Sequence, residues 1–418
     1  MRLAALLSVI IVLSPTTQLV RPWHVKTKQI SPVILVPGDG GSQVEARINK
    51  SSVVHYICAK ISNDYFNLWL NMELLVPVVI DCFIDNLKLN YDNVTRTTSN
   101  QPGVDIRIPG WGNPFVVEYI DPSRASPGSY FKDIGNMLVN DLGYIRNLSI
   151  RGAPYDFRKG PSENEEFFAK LKTLVEETYI MNNNTPVTLL VHSMGGPMTL
   201  IMLQRQSQKW KDKYINAFIT LSAVWAGSIK AVKVFAIGDD LGAYFLRESV
   251  LRDEQITSPS LGWLLPSKLL WKDTEILVQS DQKNYTLSNL QQYFIDIDVP
   301  NAWEFRKDNE KYQLDFTAPG VEVHCLYGNK VDTVENHLQF IFIFCRLYYK
   351  PGTSINGYPK LIVGDGDGTV NIRSLEACTL WQRSQVQKIY NQSFPGIDHT
   401  EILRNRDVLA YIKAVLKV

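Results

Sequence analysis

The 418 residues are enough for a large buried core and for two or three structural units. Basic and acidic side chains nearly cancel, 43 against 42, which leaves no electrostatic footprint for nucleic acid. A composition 45% apolar and 20% charged excludes a disordered chain, and past the amino terminus no run has the apolar length of a membrane helix.

In chain order, the first element is a secretory signal, assigned to residues 1–18. One positive charge (Arg2) precedes an apolar run of about a dozen residues and then turn formers. The last residues, up to Val418, carry no retention signal for the endoplasmic reticulum. Sequons at Asn49, Asn93, Asn147, Asn284 and Asn391 agree with a secretory route, and a sixth at Asn183 is set aside because Pro186 follows it. In that compartment five cysteines leave one unpaired. Cys58 and Cys82 bracket a short loop, and Cys325 and Cys378 bracket the Asp367 region. Cys345, in the apolar run from Phe340, reads as a buried thiol. Spacing leaves the pairing open.

Pro32 to Val36 is a buried-strand pattern that ends at Pro37-Gly-Asp39-Gly-Gly41. Such a turn is either plain punctuation or a place where backbone N–H groups point at a substrate. Between Cys58 and Cys82 an apolar, aromatic stretch runs from Tyr65 to Ile80. It is either core or an interfacial element in which Trp69, Leu70, Leu74 and Leu75 enter a lipid surface, and a stapled loop favours the second. Arg151 to Arg158 reads as a structural turn after a strand. Ser162-Glu-Asn-Glu165 reads as a capping box opening a helix with Phe167, Phe168, Leu171, Leu174 and Val175 on one face.

Val187 to His192 is an apolar run ending at Ser193-Met194-Gly-Gly196, followed by a helix-like segment from Met198 to Leu203. Strand, tight turn, serine and helix describe a nucleophile elbow. A further strand covers Ile215 to Leu221. Strands alternating with helices predict a parallel sheet covered on both faces. From residue 230 to 320 the periodicity is lost, as expected for a cap and lid inserted over a site. The regular pattern resumes at 321, and Asn405 caps a last helix with Val408, Leu409, Ile412, Val415 and Leu416 inward.

Gly364-Asp365-Gly-Asp367-Gly-Thr-Val follows a strand at Leu361 to Val363, and His399 stands just before the last helix. The order Ser, Asp, His is that of α/β-hydrolases. His399 is the candidate base for Ser193, and either Asp365 or Asp367 would hold its tautomer. His192 adjoins the serine, but the elbow turns neighbouring side chains apart. The Asp365 segment lacks the glycine a calcium loop needs at its sixth position, which here is Val370, and no zinc spacing occurs. No metal and no cofactor are expected. The N–H groups of Asp39 and Met194 are the candidate oxyanion donors.

These residues together resemble the lecithin–cholesterol acyltransferase family, most closely its lysosomal phospholipase A branch. The matching segments are Val33 to Gly41, Val54 to Cys58, Trp69 to Cys82, Arg151 to Arg158, His192 to Gly195, Trp263 to Pro266, His324 to Gly328 and Gly364 to Asn371. The resemblance implies a catalytic triad of Ser193, Asp367 and His399, preferring Asp367 to Asp365. It implies an oxyanion hole of Asp39 and Met194, and bridges Cys58–Cys82 and Cys325–Cys378. It implies α/β-hydrolase core at residues 27–54, 86–229 and 321–418, a membrane-binding element at 55–85 and a cap and lid at 230–320. Departures are Val191 in place of a smaller residue before His192, Val224 in place of proline, and divergent sequence around 320–359.

The expected activity is a serine-dependent phospholipase A and O-acyltransferase. It would act on glycerophospholipids at a membrane surface, with water or a lipid alcohol such as ceramide accepting the acyl chain. The expected location is lysosomal or secreted. The alternatives are a secreted neutral-lipid lipase or esterase, and a lipid-binding protein with a decayed site.

Overall fold

The structure is a computed structural model that describes residues 30–124, 128–240, 248–280, 283–340 and 359–417. The signal segment and Cys345 lie outside the described residues.

Six strands build the central sheet: β1 (Val33–Val36), β2 (Ile150–Gly152), β3 (Val187–His192), β4 (Ile215–Leu221), β5 (Val323–Asn329) and β6 (Ile389–Pro395). Their order is β6-β5-β4-β3-β1-β2, and every pairing is parallel. β1 and β3 are buried throughout, which is why both read as unbroken apolar runs. Alternate side chains of β1 feed two separate cores. Ile34 and Val36 join the cluster that holds Phe167, Phe168, Leu171 and Leu174 of α2 (Glu165–Met181) and Leu200 and Leu203 of α3 (Gly195–Gln204). Val33 and Leu35 join Ile134 and Leu138 of α1 (Lys132–Leu142) and Val408 and Ile412 of α4 (Arg406–Lys417). The expected two-faced α/β sheet is therefore present. Val191, bulkier than expected at this turn, is buried within β3 between Val36 and Thr220.

Asn405 caps α4 as expected, its side chain accepting from the Asp407 N–H at 2.9 Å. The capping box at Ser162 does not form. Residues Pro161–Glu163 make a separate short turn, and Glu165, the acid of the expected box, accepts instead from the Arg205 guanidinium and the Tyr312 hydroxyl. α2 begins after Asn164, whose amide donates to the carbonyls of Asp156, Lys159 and Gly160.

Residues 230–320 are far more regular than their sequence suggests. Short helices Ile229–Ile237, Pro259–Trp263, Leu290–Asp296 and Asn301–Asp308 line a core of their own, centred on Phe235, Trp271, Tyr293, Phe294 and Phe305, while Glu248–Gln255 sends Leu251 into the main core. At five to nine residues these helices are too short for a windowed period to emerge. The strand preceding Asp367, Pro359–Gly364, lies outside the central sheet. It pairs antiparallel with Thr333–Phe340, which in turn pairs with Val278–Gln279.

Candidate active site

β3 ends at His192 and α3 starts at Gly195, so the chain reverses over two residues and Ser193 takes φ 53°. A serine held in the left-handed region costs on the order of 1–3 kcal/mol, a strain that surrounding packing must hold. Here the packing is tight enough to exclude side chains. A Cβ on Gly196 would lie 2.5 Å from the Ala223 Cβ, and one on Gly195 would run into the carbonyls of Val36 and Pro37. The run Gly195-Gly196 thus lets the elbow nest against β1 and the segment after β4.

His399 Nε2 lies 2.9 Å from Ser193 Oγ, and its Nδ1 lies 2.7 Å from Asp367 Oδ2. The His399 N–H also donates to the Asp367 carbonyl at 2.8 Å. Asp367 is fully buried, and its Oδ1 accepts from the N–H groups of Thr369 (3.0 Å) and Val370 (2.7 Å). Burial alone would raise its carboxyl, but charge on His399 and these hydrogen bonds outweigh it and hold the group below its usual range. Asp365 is exposed and accepts from the Lys330 N–H, away from His399. Of the two aspartates, the structure therefore brings Asp367 to the histidine.

After β1, the turn Pro37 to Gly41 passes beside the serine. A Cβ on Gly38 would lie 2.5 Å from the Ser193 Cβ, so no larger residue fits there. The turn is gripped from three sides. Tyr155 Oη donates to the Pro37 carbonyl (3.0 Å), the Gly38 N–H donates to Tyr130 Oη (3.0 Å), and Trp69 Nε1 donates to the Gly40 carbonyl (2.7 Å). Among the described residues, neither the Asp39 nor the Met194 N–H has an acceptor. The surrounding protein strips water from the Asp39 carboxyl and pushes it up to about 7, opposed by the Gly40 N–H and aided by the charge of Asp239. Its side chain nevertheless opens onto solvent, which moderates that push.

Two segments, residues 65–317 and 306–406, match the sequence profile of lecithin:cholesterol acyltransferase. The chain belongs to that family. It is 44% identical over 385 residues to the lysosomal phospholipase A and acyltransferase of Canis lupus familiaris, covering 92% of this chain and 91% of the relative. With the protein of the same name from Homo sapiens the identity is 43%, covering 92% and 90%. The phosphatidylcholine-sterol acyltransferase of Gallus gallus is 38% identical over 389 residues, covering 93% and 90%.

In this member of the lecithin:cholesterol acyltransferase family, Cys58 is bonded to Cys82 and Cys325 to Cys378. The four side chains expected to enter lipid are placed differently from that expectation. Trp69 is 7% exposed, stacked on Phe83 and tilted against Phe157, while Leu70 and Leu75 are buried and Leu74 is half-buried against the core. The reason is local pairing: Phe66–Trp69 is a strand joined to Val44–Ile48, so this part of the stapled stretch is an inner wall. The apolar side chains that the stretch and its flanks do present to solvent are Val54, Tyr56, Ile57, Ile61, Val76 and Val78, with Tyr56 90% exposed. The sequon residues Asn49, Asn93, Asn147, Asn284 and Asn391 are all exposed.

Several site residues carried no sequence signal of their own. Tyr130 is isolated in the chain and reaches the turn only through the fold. Gly328, at the end of β5, leaves room for the Ile397 carbonyl and so for the loop that carries His399. Its glycine was visible, but nothing in its neighbours pointed to the histidine loop.

Proposed function

We propose that this chain is a serine-dependent phospholipase A and O-acyltransferase of glycerophospholipids, with Ser193, His399 and Asp367 as its triad and the N–H groups of Asp39 and Met194 as its oxyanion hole. The observation that carries this reading is the unbroken line from Ser193 through His399 to buried Asp367, set against a glycine turn that leaves no side chain between β1 and the nucleophile. The names of the dog and human relatives support the phospholipase and acyltransferase chemistry.

Ser193 Oγ attacks the acyl carbonyl carbon while His399 Nε2 takes the hydroxyl proton. The carbonyl oxygen becomes an oxyanion facing the two free N–H groups. When the tetrahedral species collapses, the ester bond breaks and the lysophospholipid leaves with the proton from His399. An acyl ester remains on Ser193. Water or a lipid alcohol such as ceramide then gives its proton to His399 and attacks this ester, releasing a fatty acid or an acylated alcohol and restoring Ser193.

Residues 230–320 serve as cap and lid, and residues 55–85 as the membrane-binding element, which meets lipid through the Tyr56 and Ile61 face rather than through Trp69. The site is that of a lysosomal or secreted glycoprotein whose signal segment is removed. The test is labelling of purified protein by a fluorophosphonate, with and without Ser193→Ala, followed by a phospholipid panel with and without a ceramide acceptor. Labelling confined to Ser193 and release of lysophospholipid are expected. Turnover of triacylglycerol or simple esters but of no phospholipid would point to a neutral-lipid lipase instead.

A further inference from the structure

His192 is buried beside the nucleophile, yet the mechanism above leaves it unused. Its Nε2 lies 2.8 Å from the backbone carbonyl of His399, and its Nδ1 is hydrogen-bonded to Tyr130 Oη, which also receives the Gly38 N–H. Resting on the triad reading above, we propose that His192 and Tyr130 are positioning residues: they form one directed hydrogen-bond bridge from the oxyanion turn to the backbone of the catalytic base.

The direction of every bond follows from the end groups. A carbonyl oxygen only accepts, so His192 Nε2 carries its hydrogen towards His399. Burial, and behind it the charge of His399, hold the pKa of the His192 ring down to about 3, so the ring is neutral at any working pH. Its Nδ1 is then an acceptor, and the Tyr130 hydroxyl donates to it. The Tyr130 oxygen is left to accept from Gly38. The His192 and His399 rings sit 4.8 Å apart, so a charged His192 would oppose the imidazolium that His399 becomes when it takes the serine proton. Neutrality lets His192 hold the base without resisting its charge.

Each end of the bridge meets a group that needs a hold. His399 sits on the loop after β6, and Asp367 grips its ring and N–H while leaving its carbonyl to His192. At the other end, holding the Gly38 N–H on Tyr130 fixes the Pro37–Gly38 peptide, the one next to the Gly38–Asp39 peptide whose N–H is one of the two proposed oxyanion donors. A residue that a poor line to the serine excludes as the base thus sets where the base and the turn stand.

The test compares His192→Ala, His192→Asn, His192→Gln and Tyr130→Phe, plus the His192→Ala/Tyr130→Phe pair. For each, kcat and KM on a soluble short-chain ester, the rate of Ser193 labelling by fluorophosphonate and Tm are measured. A glutamine amide can stand where Nε2 donates to His399, whereas asparagine offers an acceptor to Tyr130 and no donor to the loop. Misplacing a reacting group by about 1 Å costs on the order of 10²-fold, so His192→Ala and His192→Asn should lose about that in kcat and labelling with KM nearly unchanged. His192→Gln should regain at least about tenfold of it. Tyr130→Phe should lose less than His192→Ala and add little to it in the pair, because both cut one bridge. The proposal is overturned by a His192→Ala kcat within about twofold of wild type, by equal losses in the asparagine and glutamine variants, or by additive losses in the pair. Tyr130→Phe removes a single oxygen, so it still decides the matter if a His192 variant melts early. Labelling that survives Ser193→Ala would bring down the triad reading itself. Labelling confined to Ser193 but undiminished in His192→Ala would bring down only the bridge.

Discussion

At the carboxyl edge of the central sheet, three parts of the proposed site hang from strand ends: the glycine turn from buried β1, Ser193 from buried β3 and the His399 loop from the more exposed edge strand β6. The disulfide-stapled stretch is built differently. Only Phe66–Trp69 is paired into a sheet there, and the apolar surface lies on loops and turns around Cys58–Cys82. Sites built on strand ends place single atoms more precisely than sites on loops, and chemistry that depends on single atoms belongs there. Lipid contact depends on summed apolar area, which tolerates imprecise placement. One substitution at the sheet edge should therefore cost orders of magnitude, while one on the stapled surface should cost little.

The sharpest contrast comes from the nucleophile. Ser193→Ala should lower kcat about 10⁶-fold, and Asp367→Asn about 10⁴-fold through the wrong histidine tautomer, with Tm nearly unchanged. Retained turnover in either would break the sheet-edge half of the comparison. Next comes Gly38→Ala, whose new methyl must push the turn away from Ser193. A loss of about 10²–10³ in kcat is expected, the size of one missing oxyanion donor.

The two kinds of residue in the stapled stretch should then separate. Trp69→Ala should reduce cleavage of a soluble ester and of vesicle lipid alike, because its indole holds the Gly40 carbonyl. Tyr56→Ser combined with Ile61→Ser should reduce vesicle cleavage roughly tenfold and spare the soluble ester, consistent with losing about 1.4 kcal/mol of apolar insertion. Equal loss on both substrates in the second variant would place that face in the core as well.

Smaller effects depend on pH. As pH rises through about 7, Asp39 ionises beside the developing oxyanion and should slow the acylation step. Asp39→Asn should flatten this alkaline limb of the kcat/KM profile, and an unchanged profile would remove Asp39 from the picture. Smallest is a stability effect at Glu254 in the helix Glu248–Gln255, where burial lifts the carboxyl to about 7 against the pull of Arg158, with a hydrogen bond from Ser258. Its folded value exceeds the unfolded one, so the folded state holds the proton more tightly. Stability from this group is complete below about 4.5 and is lost as pH rises to about 7. Glu254→Gln should raise Tm more at pH 7.5 than at pH 5, and equal gains would contradict the assignment.

The sheet edge was legible because its signals are backbone signals. Mainly apolar runs at β1 and β3 mark strands buried on both faces, and glycines at 38, 195 and 196 mark places where no side chain fits. The choice of Asp367 over Asp365 was not readable from spacing; it came from family likeness, and burial against His399 explains it physically. The stapled stretch misled because apolar composition says that a side chain avoids water, not whether protein or lipid covers it. The capping box failed for a similar reason, since Glu165 found its partners in Arg205 and Tyr312, far along the chain. Tyr130 and His192 form a contact between distant segments, and no local pattern encodes that.

The hydrogen bond from Trp69 to Gly40 also limits how this enzyme can be rebuilt. A lipid anchor is often treated as a module that can be exchanged for another of similar greasiness. If the stapled stretch is the anchor proposed above, it also contributes a strut to the turn beside Ser193, so a transplanted loop would have to bring an indole at this position or leave the turn unsupported. Membrane specificity and turnover rate would then evolve as one trait, and a chimera made to reach new membranes should show its cost first on substrates that never touch a membrane.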